Sequence, residues 1–301
     1  MPRRISHLLL DFDCTITTED TLHLIASAAY TRHSLCKTGG VATPPDVPLL
    51  AADGYLSWAD FGEAYMADFD AHTERFGPRD TLDREREYLA SLKRVEQASV
   101  RRVERSGLFC GVTEDEIRKQ ARFVKLRQPE ALKLLMEKAL KRGTTLGVIS
   151  VTWSTVFVKA ALKRFLDEDV LGQIRVCANE VVMGEDGTGT GALTKEDGDG
   201  IATGADKLRM LCDITGRRPG EAGGQTDGMV VYVGDSTTDF PSLLEADIGI
   251  VVDDNRSLTE TCERLGIPME QGLAAATPRQ EGRKLYMISD WRELMPLIEG
   301  Q

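Results

Sequence analysis

Three aspartates, Asp11, Asp235 and Asp239, stand just beyond two apolar runs, Ile5 to Leu10 and Met229 to Val233. If both runs are strands of one parallel sheet, the three carboxylates reach the same edge, where open α/β sheets hold their ligands. Converging there, they would repel one another strongly without a cation. Hard oxygen donors around an open site suit Mg2+, which keeps several waters and binds a substrate phosphate. Asp11 also opens the pattern Asp11-Phe12-Asp13-Cys14-Thr15. Asp-x-Asp alone carries little, since it recurs at Asp68-Phe69-Asp70, Asp167-Glu168-Asp169 and Asp197-Gly198-Asp199. Only the first copy ends an apolar strand. Even there, the residues also fit a plain strand-to-helix turn in which Asp or Thr caps the next helix.

Two further residues belong with them. Another apolar run, Thr145 to Ile149, delivers Ser150 to the same sheet edge. Lys207, in Gly204-Ala205-Asp206-Lys207, sits at an expected helix start. Each has a bland reading beside the chemical one. Ser150 serves equally as an N-cap, Asp235 and Asp239 as turn residues, and Lys207 as solvated surface, where most lysines lie.

The elements that must position these residues follow from the apolar pattern. Ile5 to Leu10 is a continuous apolar run of the kind buried on both faces of a parallel sheet. Thr21 to Tyr30 reads as helix, Gly39 to Asp53 as a loop or insertion, and Trp58 to about Lys125 as mainly helical and heavily charged. After Pro129 come a helix ending near Gly143, the strand Thr145 to Ile149, and a helix with Val156, Phe157, Ala160 and Ala161 on one face. Ile174 to Ala178 reads as a strand, and Val181 to Met183 as the start of a hairpin through Gly184 to Gly191. Arg217 to Gly228 reads as a loop. Met229 to Val233, Ile248 to Val252 and Tyr286 to Ile288 complete the strands. Strands alternating with helices imply an α/β, doubly wound parallel sheet. The long helical stretch between the first two core strands breaks that rhythm. The expected division is an α/β core of residues 1–16 and 125–301, with a helical cap of residues 17–124 inserted into it.

Taken in order, Asp11-x-Asp13-x-Thr15, a strand-terminal Ser150, Lys207 and Gly234-Asp235-x-x-x-Asp239 resemble the four motifs of the haloacid dehalogenase superfamily. The resemblance covers residues 1–16 and about 125–255. A helical insertion directly after the first motif is similar to the cap of the phosphoserine phosphatase-like branch. It implies a Mg2+-dependent phosphohydrolase working through an aspartyl-phosphate. In that reading Asp11 is the nucleophile and a metal ligand, and Asp13 offers its backbone carbonyl to the metal and its carboxyl as general acid and base. Asp235 is a second carboxylate ligand, and Asp239 orients waters or Lys207. Ser150 and Lys207 bind the phosphoryl group. The resemblance breaks at Val151-Thr152-Trp153, where that branch commonly has small residues. Phosphoserine is therefore an uncertain fit, and Trp153 stands either in a leaving-group pocket or in the interior. In the cap, Glu19 and Asp20 follow the first motif closely enough to face the site. Arg101 and Arg102 weakly resemble a substrate-binding Arg of that branch, and fit a solvated helix face better. Cys14, among carboxylates, is expected to stay a thiol.

Composition narrows the partners. A formal net charge of −11 opposes broad contact with nucleic acid or anionic lipid, yet a local cation would still admit a small phosphorylated metabolite. Six scattered cysteines without a C-x-x-C pair, no long apolar run and no signal-like start point to a cytoplasmic protein. The four motifs also suit a phosphomutase or other phosphotransferase, or a non-catalytic phosphate-binding regulator. Retention of both Asp11 and Asp13 argues against the last.

Overall fold

A computed structural model describes residues 4–38, 56–193, 200–218, 228–253, 255–274, 276 and 283–300. The loop expected at Gly39 to Asp53, the pair Asp197 and Asp199, and most of Arg217 to Gly228 lie outside the described residues. The strands are β1 (Ile5–Leu10), β2 (Cys110–Thr113), β3 (Thr145–Ile149), β4 (Ile174–Cys177), β5 (Thr188–Thr190), β6 (Met229–Gly234), β7 (Ile248–Val252), β8 (Met269–Gln271) and β9 (Leu285–Ile288). The helices between β1 and β3 are α1 (Leu22–Thr38), α2 (Trp58–Phe76), α3 (Leu82–Ser91), α4 (Lys93–Ser106), α5 (Glu114–Gln120) and α6 (Pro129–Lys141). Then come α7 (Thr155–Leu162), α8 (Glu168–Leu171), α9 (Gly204–Thr215), α10 (Phe240–Glu245), α11 (Arg256–Arg264) and α12 (Met295–Glu299). None of the described helices is long and apolar enough to cross a membrane.

Seven strands form one parallel sheet in the order β4-β3-β1-β6-β7-β9-β8. This is the expected α/β, doubly wound sheet. The central strands β6 and β7 are buried along their whole length, and β1 is buried except at Ser6 and His7, as strands covered on both faces must be. Register fixes the site: Leu10 pairs with Val148 of β3 on one side and Val233 of β6 on the other. The residues just past these pairs, Asp11, Ser150 and Asp235, therefore emerge together at the carboxyl edge. Sequence order turns outward in both directions from β1 and β6, so their crevice is the topological switch point where such sheets bind ligands.

The chain leaves the core and returns to it side by side. Thr17 and Leu126 form an isolated bridge, the Thr18 amide donates to the Lys125 carbonyl, and the Arg127 amide donates to the Ile16 carbonyl. Two differences from the sequence reading have physical causes. Charge dominates Trp58 to Lys125 and hides β2, a short strand that needs β5 from the core sequence as its antiparallel partner. The hairpin expected from Val181 through Gly184 to Gly191 forms: the Thr190 amide donates to the Val182 carbonyl, the Val182 amide to the Ala192 carbonyl and the Gly184 amide to the Thr188 carbonyl, so β5 is bonded on this side as well as to β2. On α7 the buried face is Phe157, Val158, Ala161 and Leu162, rotated from the one expected, so Val156 and Ala160 are only half-buried.

Helices of the insertion are tied to the core by charge as well as by packing. Glu85 of α3 is fully buried and accepts from Arg79 at 3.2 Å and from Arg264 of α11 at 2.8 Å. A buried carboxylate deprived of a partner is costly, whereas an apolar pair of similar size is not. Arg264→Ala is therefore expected to lower stability by about 3 kcal/mol in urea denaturation. Adding Glu85→Leu should recover part of that loss. Equal stability of Arg264→Ala and wild type would remove this bridge from the account.

Candidate active site

Each polar side chain reaches the edge by a local device. Asp11 is held by its own amide, which donates to the Val233 carbonyl of β6 at 2.8 Å. Beyond it the chain turns sharply: Cys14 takes a φ of 58°, its amide donates to the Thr17 hydroxyl, and the Thr17 amide closes back on the Phe12 carbonyl. Arg127 clamps this turn from the returning chain, donating to the carbonyls of Thr15 and Cys14 at 3.0 Å each and pairing with Asp253. Lys207 arrives on α9, whose start is fixed by a capping box between Thr203 and Asp206. Gly204 lets that helix start close on the next loop: a Cβ there would sit 2.8 Å from the Thr238 carbonyl oxygen. Gly234 does the same for Asp239, whose carboxyl carbon lies 2.5 Å from where a Cβ would stand.

The result is a buried cluster of three carboxylates and one ammonium. Lys207 Nζ lies 2.8 Å from Asp11 Oδ1 and 2.7 Å from Asp239 Oδ1, and all three residues are almost solvent-free. One carboxylate oxygen each from Asp11, Asp235 and Asp239 fall within 4.8 Å of one another. Asp239 is fully engaged: besides Lys207, it accepts from the Tyr232 hydroxyl at 2.7 Å and from the amide and hydroxyl of Ser236 at 3.2 and 3.0 Å. Asp235 accepts from the Thr15 hydroxyl at 3.1 Å and, more weakly, from Asn255 at 3.5 Å. On Asp13, Oδ1 accepts from the amide and hydroxyl of Thr21 at 2.9 and 2.5 Å, while Ser150 Oγ stands 3.5 Å from Oδ2.

Electrostatics separates these groups. Burial raises the pKa of Asp11, the Asp239 charge raises it further, and Lys207 opposes both. Burial and Asp239 push Asp235 up to about 6. Asp239 is also buried, but Lys207 and the bonds from Tyr232 and Ser236 outweigh that, so its carboxyl lies below the usual range. Burial works against the Lys207 charge, yet Asp11 and Asp239 hold it firmly protonated. Asp13 is raised to about 7, first by burial and then by Asp20, against the pull of its Thr21 bonds. That is the range in which a carboxyl both gives and takes a proton near neutrality. Cys14 is pushed up to about 12 by burial and by Asp235, so it stays a thiol.

The donors fit a divalent cation. Three carboxylates against one ammonium leave negative charge in a desolvated place, which asks for a counter-ion. In the turn, the carbonyls of Phe12, Cys14, Thr15 and Ile16 all accept hydrogen bonds, whereas none reaches the Asp13 carbonyl among the described residues. Asp11 and Asp235 are thus the carboxylates that could hold the ion, with the Asp13 carbonyl a further oxygen open to it, since Asp239 is already bonded to Lys207, Tyr232 and Ser236.

Beside the cluster lies a cavity of 660 Å3, bordered by Asp20, which precedes Thr21, by Val151 and Trp153, which follow Ser150, and by Thr238, which precedes Asp239. Trp153 is nearly buried and is one of its walls, so packing and pocket are the same role here. Glu19 instead pairs with Lys125 at 3.0 Å, near the point where the chain leaves the core. Arg102 is not on the cavity wall. It turns to Asp68 of α2 at 2.6 Å, and Arg101 is the arginine that faces the cavity, because neighbouring helical residues point about 100° apart. The sequence reading also passed over Tyr232, Thr21 and Arg127. Tyr232 lies in an apolar strand and looks like core, and Arg127 looks like one of many surface arginines. Thr21 directly before an apolar helix was a legible cap signal.

The parallel sheet of this order, carrying acidic residues at its switch point, is a doubly wound α/β fold with a candidate ligand site at its carboxyl edge. The family model of haloacid dehalogenase-like hydrolases matches residues 8–244, and the chain belongs to that family. A CTO1 family protein of Schizosaccharomyces pombe is 27% identical over 300 residues, 94% of this chain and 96% of that protein. The bifunctional TH2 protein of Arabidopsis thaliana is 24% identical across 96% of this chain, which spans about half (48%) of that protein's length. Among solved structures, a substrate-bound phosphoserine phosphatase superposes with a TM-score of 0.51 at 16% identity, covering 98% of this chain and 99% of that one. A family hydrolase from Salmonella enterica serovar Typhi does so with 0.56 at 14%, covering 100% and 73%.

The Tyr232 bond to Asp239 is the least expected contact of the cluster and is separately testable. Tyr232→Phe keeps the ring and removes one donor from a buried charge. It should cost about 1–2 kcal/mol in urea denaturation. Unchanged stability would mean that Lys207 and Ser236 satisfy Asp239 without it.

Proposed function

We propose that this protein is a Mg2+-dependent phosphomonoester hydrolase that acts on a small phosphorylated metabolite through an aspartyl-phosphate on Asp11. The observation that carries the reading is Lys207 held between Asp11 and Asp239, with Asp235 beside them and Asp13 two residues from Asp11. Asp11 attacks phosphorus and the ester P–O bond breaks, with Asp13 giving its proton to the departing alcohol. Asp13 then takes a proton from a water that attacks the aspartyl-phosphate, releasing phosphate and restoring Asp11. Lys207 keeps its proton throughout and screens the repulsion between Asp11 and the dianionic ester. Ser150 Oγ offers a hydrogen bond to the transferring group. Bound at Asp11, Asp235 and the Asp13 carbonyl, Mg2+ would supply charge neutralisation for the phosphoryl oxygens.

Residues 17–124 act in this reading as a cap that excludes water and selects the leaving group. A recessed cavity of this size favours metabolites over folded phosphoproteins. Nothing in the site calls for nucleic acid or a membrane, and the negative net charge opposes both.

Phosphate release from a panel of small phosphomonoesters tests the proposal. Wild type should need Mg2+, lose activity to a chelator and regain it on readdition. Asp11→Asn should fall by about 1,000-fold or more with its denaturation midpoint little changed. Activity of Asp11→Asn within about tenfold of wild type, or full activity after exhaustive chelation, would contradict it.

A further inference from the structure

The cavity beside the cluster carries chemistry that phosphoryl transfer does not use. Aromatic rings form much of its wall. Trp58 of α2 and Trp153 meet edge to face, 6.0 Å apart at 80°, and Phe109 braces Trp153 at 6.0 Å and 89°. Facing the same space is a half-buried carboxylate: Glu96 of α4 accepts from the Tyr65 hydroxyl at 2.8 Å through Oε1. Among the described residues no hydrogen bond or ion pair reaches its other oxygen. Burial pushes Glu96 up to about 7 despite the Tyr65 bond, so a cation docking beside it would be strongly favoured to restore its charge.

Charge around the cavity points the same way. Asp20 and Glu96 line it, as does Glu104, which is already engaged by the Leu193 amide at 2.8 Å. The two basic residues on its wall are Lys93, committed to Asp206 at 2.9 Å, and Arg101, which is exposed. An acidic leaving group would meet the carboxylates of Asp20 and Glu96. A volume of 660 Å3 lies within the range of about 300–1,000 Å3 that encloses ring-bearing ligands, so a serine- or glycerol-sized alcohol leaves the aromatic walls unused. Flat rings and cations are what tryptophan faces attract.

We propose that the cavity selects a phosphomonoester whose alcohol carries a flat ring with a cationic nitrogen, the ring against Trp58 and Trp153 and the nitrogen against Glu96. This deepens the phosphatase reading and rests on it. Glu96 and Trp153 are then specificity-determining residues, remote from the bond that breaks.

Matched esters and their alcohols test it. The esters are 2-(pyridinium-1-yl)ethyl phosphate, 2-phenylethyl phosphate and O-phosphoserine, assayed with Mg2+, and the pyridinium alcohol is titrated calorimetrically without phosphate. The pyridinium ester should exceed the phenyl ester in kcat/KM by about tenfold or more, as a charge-assisted contact would give, and exceed phosphoserine further. Glu96→Gln, which keeps the Tyr65 bond, should collapse the pyridinium-to-phenyl ratio and weaken binding of the alcohol about tenfold. Trp153→Leu should lower both ring esters relative to phosphoserine. Hydrolysis of all three esters with phosphoserine preferred, or with a ratio unmoved by Glu96→Gln, overturns the inference and leaves the phosphatase reading intact. Alcohol binding that depends on Glu96, with no ester hydrolysed, supports the pocket and removes the phosphatase reading.

Discussion

Gathering like charges out of water is the constraint on which this molecule depends. Asp11, Asp235 and Asp239 meet at one buried edge, where their mutual repulsion would open the sheet if nothing offset it. Lys207 offsets part, and the placement of that single ammonium dictates much around it. It requires α9 to start against the loop after β6, which Gly204 permits. It requires Asp239 to fold back under Asp235, which Gly234 permits. The hydroxyls of Tyr232 and Ser236 then fix Asp239 so that Lys207 has one stable position. Charge left over is what a cation would neutralise, so the same imbalance that threatens the fold prepares the site.

The inserted helices share in this arrangement. Asp13 is tied by Thr21 to the start of α1, and Arg127 on the returning chain grips the Cys14 and Thr15 carbonyls. Both connections between insertion and sheet therefore run through the turn that carries Asp11 and Asp13. Lys93 to Asp206 joins α4 to the helix of Lys207, and Glu85 to Arg264 joins α3 to α11. A displacement of the helices would be felt at the carboxylates directly. It would also change the cavity, whose walls belong to α2 and α4 on one side and to the residues after β3 on the other.

Much of the sheet was legible because buried parallel strands announce themselves as apolar runs. Ile5 to Leu10, Thr145 to Ile149 and Ile248 to Val252 coincide with β1, β3 and β7. The geometric convergence of Asp11, Asp235 and Asp239 was legible for the same reason, since each follows such a run. Strands without that signature escaped: β8 is Met-Glu-Gln, and β2 exists because β5 pairs with it. The choice between Arg101 and Arg102 turned on helix phase, which a charged, weakly apolar sequence does not reveal. Glu96 was invisible for another reason. A glutamate within an alternating charge run looks solvated, and only the packing of Trp58, Tyr65 and Trp153 around one space gives it a place.

Whether Asp11 becomes phosphorylated is the central question. Asp13→Asn, which retains the nucleophile but lacks the acid for the first step and the base for the second, can be mixed with Mg2+ and an aryl phosphate whose leaving group departs without a proton, quenched in acid and mapped by peptide mass spectrometry. The account predicts the mass of one phosphoryl group on the peptide containing Asp11, and none when Asp11→Asn is added. Phosphate released by wild type, with no phosphoryl group ever found on Asp11, would contradict it.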